Sequence, residues 1–270
     1  MIGGNMTAAV PAISIVAMGI AGALGIAIPL VLLFYFLKKG ADIPPFFVGC
    51  LTFFIFALVL EQIVHSVVLS TQAGKTIQAN IWLMGLYGGL MAGFFEESGR
   101  LLAFKFPLRK FREKNINALM YGAGHGGFEA LMIFSVTMVS NIVISVMINT
   151  GSISLITDSL PADQVDLFMA QIQPLTTTVP GLYFLGLLER AIAISFHICN
   201  SVLVWFAVKN NKKSLYFIAI LLHAVMDFVA VALGRSGKPG SEYYTEVALL
   251  VIVVATAFYV RHVWKKESLT

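Results

Sequence analysis

Two adjacent carboxylates and an arginine interrupt an otherwise apolar stretch of this 270-residue chain. Glu96, Glu97 and Arg100 lie between an apolar run that begins at Ile81 and one that ends at Phe106. A charged side chain near the centre of a bilayer costs about 2.5–3.5 kcal/mol on insertion scales. A lipid-facing helix has no structural need for three such groups within five residues, so the pattern predicts a functional site inside the membrane.

Histidines and carboxylates also occur together in other apolar segments, with a spacing of four residues. The pairs are Glu61/His65, His125/Glu129 and His223/Asp227. On a helix this spacing places both side chains on one face. A fourth histidine, His197, follows Phe196 in a further apolar run, with Asn200 and Ser201 close behind it. Interhelical hydrogen bonds within a packed core are the simpler alternative for each of these residues.

Imidazoles and carboxylates that converge in a layer of low dielectric constant suit two hydrolytic chemistries. One is a Zn²⁺ site with imidazole and carboxylate ligands and an open position for water. The other is metal-free catalysis, in which a buried carboxylate activates water and a histidine stabilises the oxyanion. A third use of such groups is the conduction of protons or cations through the membrane.

The composition indicates an all-α membrane protein of several spans. Hydrophobic residues make up 58% of the chain and charged residues 12%, whereas soluble domains contain about 25% charged residues. Apolar runs of about 20 residues are long enough to cross a bilayer. We predict one integral membrane domain over residues 1–270, with a short amphipathic helix near Pro161 that forms a surface tie or a lid. The seven predicted spans are 10–37, 44–70, 80–104, 116–149, 181–208, 214–233 and 243–263.

Basic residues follow every odd-numbered span, which predicts the orientation of the chain. They are Lys38 and Lys39; Lys105, Arg109, Lys110, Arg112 and Lys114; Lys209, Lys212 and Lys213; and Arg261, Lys265 and Lys266. The positive-inside rule then places the N-terminus outside and the C-terminus inside. We expect a multi-pass protein of a bacterial-type plasma membrane with lipid as its surroundings. The net charge of +4 reflects this topology and requires no nucleic-acid partner.

Counting residues along the predicted spans brings several polar groups to one depth. At a rise of about 1.5 Å per residue, the motifs of spans 3 to 6 fall in one layer near the midplane. The residues in that layer are Glu96, Glu97, Arg100, His125, Glu129, His197, His223 and Asp227. Glu61 and His65 lie higher, at an access path or around the site, and Glu189 and Arg190 are expected to be structural charges near the outer face. Glycines in spans 3 and 4 are expected to allow close helix packing, which would bring Glu96 and His125 together.

The order of these motifs resembles a known family. Glu96-Glu97-x-x-Arg100, Gly124-His125-Gly-Gly-Phe-Glu129, Phe196-His197 and His223-x-x-x-Asp227 are similar to the YhfC family of intramembrane metalloproteases, which is related to the type II CAAX prenyl endopeptidases and to PrsW-type proteases. The resemblance implies that a glutamate of the first motif activates water and that histidines bind metal or the oxyanion. It covers spans 2 to 6.

Three details depart from the CAAX endopeptidases. Two residues instead of three separate the glutamate pair from Arg100, the second motif ends in Glu129, and the last ends in Asp227, as in PrsW. These departures weaken the expectation of a prenylated substrate.

We therefore predict an intramembrane endopeptidase that acts on a membrane-embedded or lipidated protein with the help of Zn²⁺, or by a metal-free glutamate mechanism. The predicted catalytic residues are Glu96, Glu97, Arg100, Glu129 and Asp227, and the predicted metal ligands are His125, His197 and His223. Glu96 is the preferred base because of its spacing to Arg100. The alternative is a non-enzymatic transporter, channel or membrane scaffold that uses the cluster for proton or ligand handling.

Overall fold

Helices account for all the regular structure in the computed structural model, which describes residues 8–269. No strand occurs in that range. Two short 3₁₀ turns, Arg109–Phe111 and Gln173–Thr176, join neighbouring helices. The helices in chain order are α1 (Ala12–Lys38), α2 (Pro44–Leu69), α3 (Gln72–Ala79), α4 (Ile81–Lys105), α5 (Ile116–Asn149), α6 (Ser154–Thr157), α7 (Ala162–Ile172), α8 (Gly181–Lys209), α9 (Lys213–Gly234) and α10 (Ser241–Glu267).

Each predicted span coincides with one long helix, and the helix ends agree closely with the predicted boundaries. Six helices of the described chain are long and apolar enough to cross a membrane: α1, α2, α5, α8, α9 and α10. The remaining predicted span is α4, whose 25 residues include the charged motif that lowers its hydropathy. The all-helical membrane fold is confirmed, and the count of seven spans and the orientation stay predictions.

Two of the long helices contain a π-helical segment. In α2 it covers Phe54–Glu61, and in α5 it covers Ala130–Ser135. Each segment adjoins a carboxylate, because Glu61 ends the first and Glu129 immediately precedes the second. A π-turn changes the direction in which the following side chains point and occurs often at functional sites.

The contacts divide the chain into two compact units, the first of which combines residues up to Ala27 with Leu131–Leu188. Its core contains Met18 and Met138, both buried. The predicted amphipathic helix is present as α7, and Ile172 at its end packs into this same core. These contacts fit the prediction of a helix that ties two spans, whereas its use as a lid stays a prediction.

The second unit combines Ile28–Ala130 with the chain from Glu189 onward. Large aromatic side chains fill its main core, where Phe104 packs edge to face against both Tyr121 and Trp205. Lipid tails are as apolar as these side chains, so helix association in a membrane depends on tight packing and on polar contacts. The prediction of a single membrane domain stays a prediction.

Glycines set the distance between α4 and α9. Gly85, Gly89 and Gly93 recur at every fourth position of α4 and face the backbone of α9. A Cβ atom at Gly93 would lie 2.7 Å from the carbonyl oxygen of Ile220. This stripe of small residues therefore lets the two helices approach until their backbones touch.

The glycines that surround His125 serve three different helix contacts. Gly122 and Gly126 face α8, Gly124 faces the start of α2, and Gly127 faces α1. Close helix packing occurs here as expected. However, these glycines face α1, α2 and α8, whereas the expected close approach is between spans 3 and 4. Glycines have no side chain to hold neighbours apart on any face, so His125 sits where several helices meet.

Adjacent glycines of α4 provide a matched test of this packing. We expect Gly89→Ala to destabilise the protein by about 1–3 kcal/mol, because its Cβ atom would overlap the carbonyl oxygen of Ala224. Gly88→Ala, with nothing within 4 Å of the new Cβ atom, should be neutral or stabilising by up to about 1 kcal/mol. Thermal unfolding of both variants in one detergent measures the difference. Equal melting temperatures would contradict the close approach of α4 and α9.

Candidate functional site

Four helices contribute to one cluster of polar side chains, all from the parts of these helices that belong to the second unit. The structure brings together all eight residues that the sequence predicts for the site. Glu96, Glu97 and Arg100 come from α4, His125 and Glu129 from α5, His197 from α8, and His223 and Asp227 from α9. All of them except Asp227 are buried. Interhelical contacts join these residues. Of the local pairs that helical spacing suggests within the cluster, Glu97/Arg100 and His223/Asp227 remain in contact, whereas His125 and Glu129 have partners on other helices.

The carboxylate of Glu96 faces three imidazoles. Its Oε2 atom lies 2.8 Å from Nε2 of His125 and 3.9 Å from Nδ1 of His197. Its Oε1 atom lies 3.9 Å from Nε2 of His223. The histidine rings pack beside one another, with 4.9 Å between the ring centres of His125 and His197. Glu96 is thus at the centre of the histidine cluster.

Glu97 has a different set of partners from its neighbour. Its Oε1 atom accepts hydrogen bonds from Nη1 of Arg100, from Nδ2 of Asn200 at 3.0 Å and from Nδ1 of His223 at 2.7 Å. Arg100 and Glu97 are completely buried, so each compensates the other's charge. When Nδ1 of His223 donates to Glu97, the neutral ring has its lone pair on Nε2, the atom that faces Glu96 and Asp227.

His197 is held at both ring nitrogens. Nη2 of Arg100 donates to Nδ1 of His197 at 3.1 Å, and Nε2 of His197 lies 2.5 Å from Oε2 of Glu129. Nη1 of Arg190 donates to the other oxygen of Glu129 at 2.7 Å, and Arg190 also pairs with Glu189. A chain of charged contacts therefore runs from His197 through Glu129 to Arg190 and fixes the orientation of the imidazole.

A cavity of about 70 Å³ adjoins this cluster. One water molecule needs only about 10–15 Å³ of accessible volume, so the cavity has room for water beside the imidazoles. Its lining combines polar and apolar side chains: Glu129, Glu189, Arg190, Ala193, Phe196, His197, His223, Met226, Asp227, Ala230 and Leu249.

The donor atoms of Glu96, His125 and His197 form a group that can hold a metal ion. One ligand atom from each lies within 4.8 Å of the other two. A tetrahedral Zn²⁺ with bonds of about 2.0–2.1 Å keeps its ligand atoms about 3.3 Å apart. The separations of Oε2 of Glu96 from Nε2 of His125, 2.8 Å, and from Nδ1 of His197, 3.9 Å, lie on either side of that value. Nδ1 of His125 is buried without a hydrogen-bond partner within the described residues.

Two imidazoles and one carboxylate match the His₂Glu donor set of catalytic zinc sites. The residues therefore fit a metal, although binding through Nδ1 of His197 would replace its bond to Arg100. Of the three predicted ligands, His125 and His197 belong to this group, and His223 faces the opposite oxygen of Glu96. The assignment of metal ligands and catalytic roles stays a prediction.

Arg190 and Asn200 contact the site, although the sequence analysis did not assign them to it. From the sequence, Arg190 is expected to be a structural charge near the outer face and Asn200 part of a packing network. Their spacing to His197 could have indicated that they share its helix face, since Arg190 precedes it by two helical turns and Asn200 follows it by one.

Glu61 and His65 form the one predicted i,i+4 pair that makes a direct hydrogen bond in the structure. Oε1 of Glu61 lies 3.1 Å from Nε2 of His65, and Nδ1 of His65 lies 2.8 Å from the hydroxyl of Tyr87. No hydrogen bond or ion pair joins this pair to the Glu96 cluster in the part of the chain described. Its predicted place around the site or along an access path stays a prediction.

The fold and the cluster define a multi-pass helical membrane protein with a buried histidine and glutamate centre. A family model described as YhfC intramembrane metalloprotease matches residues 24–253. The chain belongs to this YhfC family. It is 35% identical over 246 residues to the uncharacterized membrane protein YhfC of Bacillus subtilis (strain 168), a match that covers 90% of this chain and 92% of the relative. No solved structure matches the chain.

The two glutamates of α4 should differ in their effect on stability. Glu97→Gln removes the charge that compensates the buried Arg100, so we expect a loss of about 3–5 kcal/mol. Glu96→Gln keeps a side chain that can hydrogen-bond His125 and should lose about 0.5–1.5 kcal/mol. Thermal unfolding of the purified variants gives both values. The double variant Glu97→Leu, Arg100→Met should recover part of the first loss, and equal losses in the single variants would contradict the separate roles.

Proposed function

We propose that this protein is an endopeptidase that hydrolyses a peptide bond of a membrane-embedded or lipidated protein within the bilayer. The observation that carries the proposal is the position of Glu96, a buried carboxylate between three imidazoles, two of which line the adjoining cavity. The description of its family as intramembrane metalloproteases supports the same reaction class.

Zn²⁺ is the metal that this donor set favours, since imidazole and carboxylate are common ligands of catalytic zinc. His125, His197 and Glu96 would hold it through the atoms that already face one another. When bound, Zn²⁺ makes water nucleophilic near neutral pH and polarises the carbonyl group that is attacked.

Hydrolysis of a peptide bond requires a group that takes a proton from water and a group that gives a proton to the leaving amine. Glu96 takes the first role through Oε1, the oxygen that faces His223. His223 lies 3.9 Å from that oxygen and 3.7 Å from Oδ2 of Asp227. In this proposal, the water oxygen bonds to the substrate carbonyl carbon, and the proton passes through Glu96 and His223 to the amine nitrogen as the C–N bond breaks.

Glu129 and Glu97 act in this proposal as positioning residues, because each is bonded to an arginine. Glu129 binds Arg190 and turns His197 toward Glu96, as carboxylates do for the histidine ligands of metals. Glu97 binds Arg100 and holds the ring of His223 by Nδ1. Both carboxylates were predicted as catalytic residues, and their contacts favour this supporting role.

A metal-free mechanism has one observation in its favour. Nη2 of Arg100 donates to Nδ1 of His197, the atom that would face the metal. Without metal, Glu96 activates water by itself, and the ring N–H group of a histidine stabilises the oxyanion. The two mechanisms share Glu96 as the base, so metal content distinguishes them and proteolysis tests both.

Metal content should depend on the clustered histidines and on no other histidine. We expect about one Zn²⁺ per chain in the wild-type protein, because three ligands with an open position form the usual catalytic zinc site. The variant His125→Ala, His197→Ala should contain close to none. His262→Ala is the matched control, since this residue is exposed near the end of α10 and should keep the metal. Elemental analysis by mass spectrometry gives the stoichiometry, and equal metal content in all three proteins would contradict the zinc site.

Proteolysis should require Glu96 with or without a metal. We expect Glu96→Gln to abolish the formation of one or more membrane-protein fragments and to let the uncleaved substrates accumulate, because loss of a general base slows its step by about 100-fold or more. Glu242→Gln changes the same residue type at an exposed position on α10 and should leave cleavage unaffected. Quantitative proteomics of membranes from cells that express each variant measures the fragments. Identical profiles for wild type and Glu96→Gln would favour a transporter or scaffold.

A further inference from the structure

Two adjoining cavities lie where α4 and α8 end and α9 begins, apart from the site described above. One has a volume of about 230 Å³ and the other about 550 Å³. Lys105 and Val208 line both cavities, so the two spaces are neighbours. Neither cavity is lined by a residue of the histidine cluster.

The smaller cavity is mainly apolar. Leu101, Ala207, Val208 and Tyr216 line it together with Phe217, whose side chain is largely exposed. Lys105 and Lys213 lie at the same cavity. An apolar cleft at the ends of membrane helices, bordered by lysines, is a suitable environment for the upper part of a lipid chain.

The larger cavity is cationic. Three of its five lining residues are Lys105, Arg109 and Arg112, and the exposed ring of Phe106 is beside them. None of the three cations makes an ion pair with a carboxylate in the described part of the chain. Like charges around one space repel each other, and an anion bound between them removes that repulsion.

We propose that the two cavities together bind one anionic phospholipid. The headgroup phosphate lies between Lys105, Arg109 and Arg112, where guanidinium groups can form paired hydrogen bonds with its oxygens. The adjoining acyl chain occupies the apolar cavity. The position at helix ends places the headgroup at the membrane surface and the chain in the bilayer, as basic pockets between membrane helices do for anionic lipids.

A lipid at this site would also contact the helix that carries the candidate catalytic residues. Leu101 follows Arg100 directly on α4, and Lys105 ends the same helix five residues after Arg100. Tyr216, which lines the apolar cavity, has its hydroxyl 2.8 Å from Oγ of Ser98. The bound lipid therefore supports the packing of α4 against α9 at their ends.

Native mass spectrometry of the detergent-purified protein tests the proposal with phosphatidylglycerol and phosphatidylcholine of identical acyl chains. We expect the wild-type protein to retain one phosphatidylglycerol and little phosphatidylcholine. The variant Lys105→Gln, Arg109→Gln, Arg112→Gln should weaken phosphatidylglycerol binding by about ten-fold or more, given the contribution of each cation near an anionic headgroup. The control Arg261→Gln, Lys265→Gln, Lys266→Gln removes the same charge at exposed positions of α10, outside both cavities, and should bind as wild type.

A second variant keeps every charge and fills the space instead. Val208→Trp enlarges a residue common to both cavities and should weaken phosphatidylglycerol binding. Circular dichroism and thermal unfolding without added lipid check that each variant is folded. An equal loss of lipid in both triple variants, or equal retention of the two lipids, would overturn the proposal. Displacement of the lipid by millimolar inorganic phosphate would also overturn it, because the site would then be one for a free anion.

Discussion

The ion pair between Glu97 and Arg100 is the constraint on which the structure of the site depends. Both side chains are completely buried, and an unpaired buried charge costs several kcal/mol. The ion pair alone leaves other acceptor and donor atoms of the two side chains without hydrogen-bond partners. Asn200 of α8 and His223 of α9 supply donors to Glu97, and His197 of α8 accepts from Arg100. The buried charges of α4 therefore hold α4, α8 and α9 at fixed distances from one another.

These bonds can form only because the helix backbones approach closely. Gly93 is one turn before Glu96, and a Cβ atom there would lie 3.5 Å from Cβ of His223 as well as against the backbone of α9. On α5, Gly126 brings His197 to His125 in the same way. A side chain at either glycine would separate the groups that bind one another. The geometry of the site therefore depends on the close packing of these helices.

Much of the fold could be predicted from the sequence, because hydropathy and the length of apolar runs determine where a membrane helix begins and ends. The depth of the polar groups also follows from counting residues at a constant rise. The partners could not be predicted in the same way. His125 and Glu129 share a helix face, yet His125 contacts Glu96 and Glu129 contacts His197. Which side chains come into contact depends on which helix each glycine faces, and the glycines around His125 face three different helices.

Arg190 illustrates the same difficulty. Residue counting put it near the outer face, where an exposed charge needs no partner, whereas its side chain bonds Glu129 beside the imidazoles. An arginine side chain is long, so the depth of its Cα atom says little about the depth of its guanidinium group. The carboxylate one residue before it, Glu189, is a second partner of the same guanidinium group. The spacing of Arg190, two helical turns before His197, puts both residues on one face of α8, but only the three-dimensional packing shows that its guanidinium group reaches Glu129.

The two glutamates of α4 have different partners, and this difference is a physical reason to propose different roles for them. Their spacing in the sequence does not provide such a reason. Arg100 is three residues after Glu97 and four after Glu96, so helical geometry permits either pair. The pair that forms is the one with Glu97, which then also accepts bonds from Asn200 and His223. A carboxylate engaged by three donors is a poor proton acceptor, because hydrogen bonds to the charged form favour that form. Glu96 has imidazoles as its neighbours and an oxygen that faces His223, and for this reason we assign to it the activation of water.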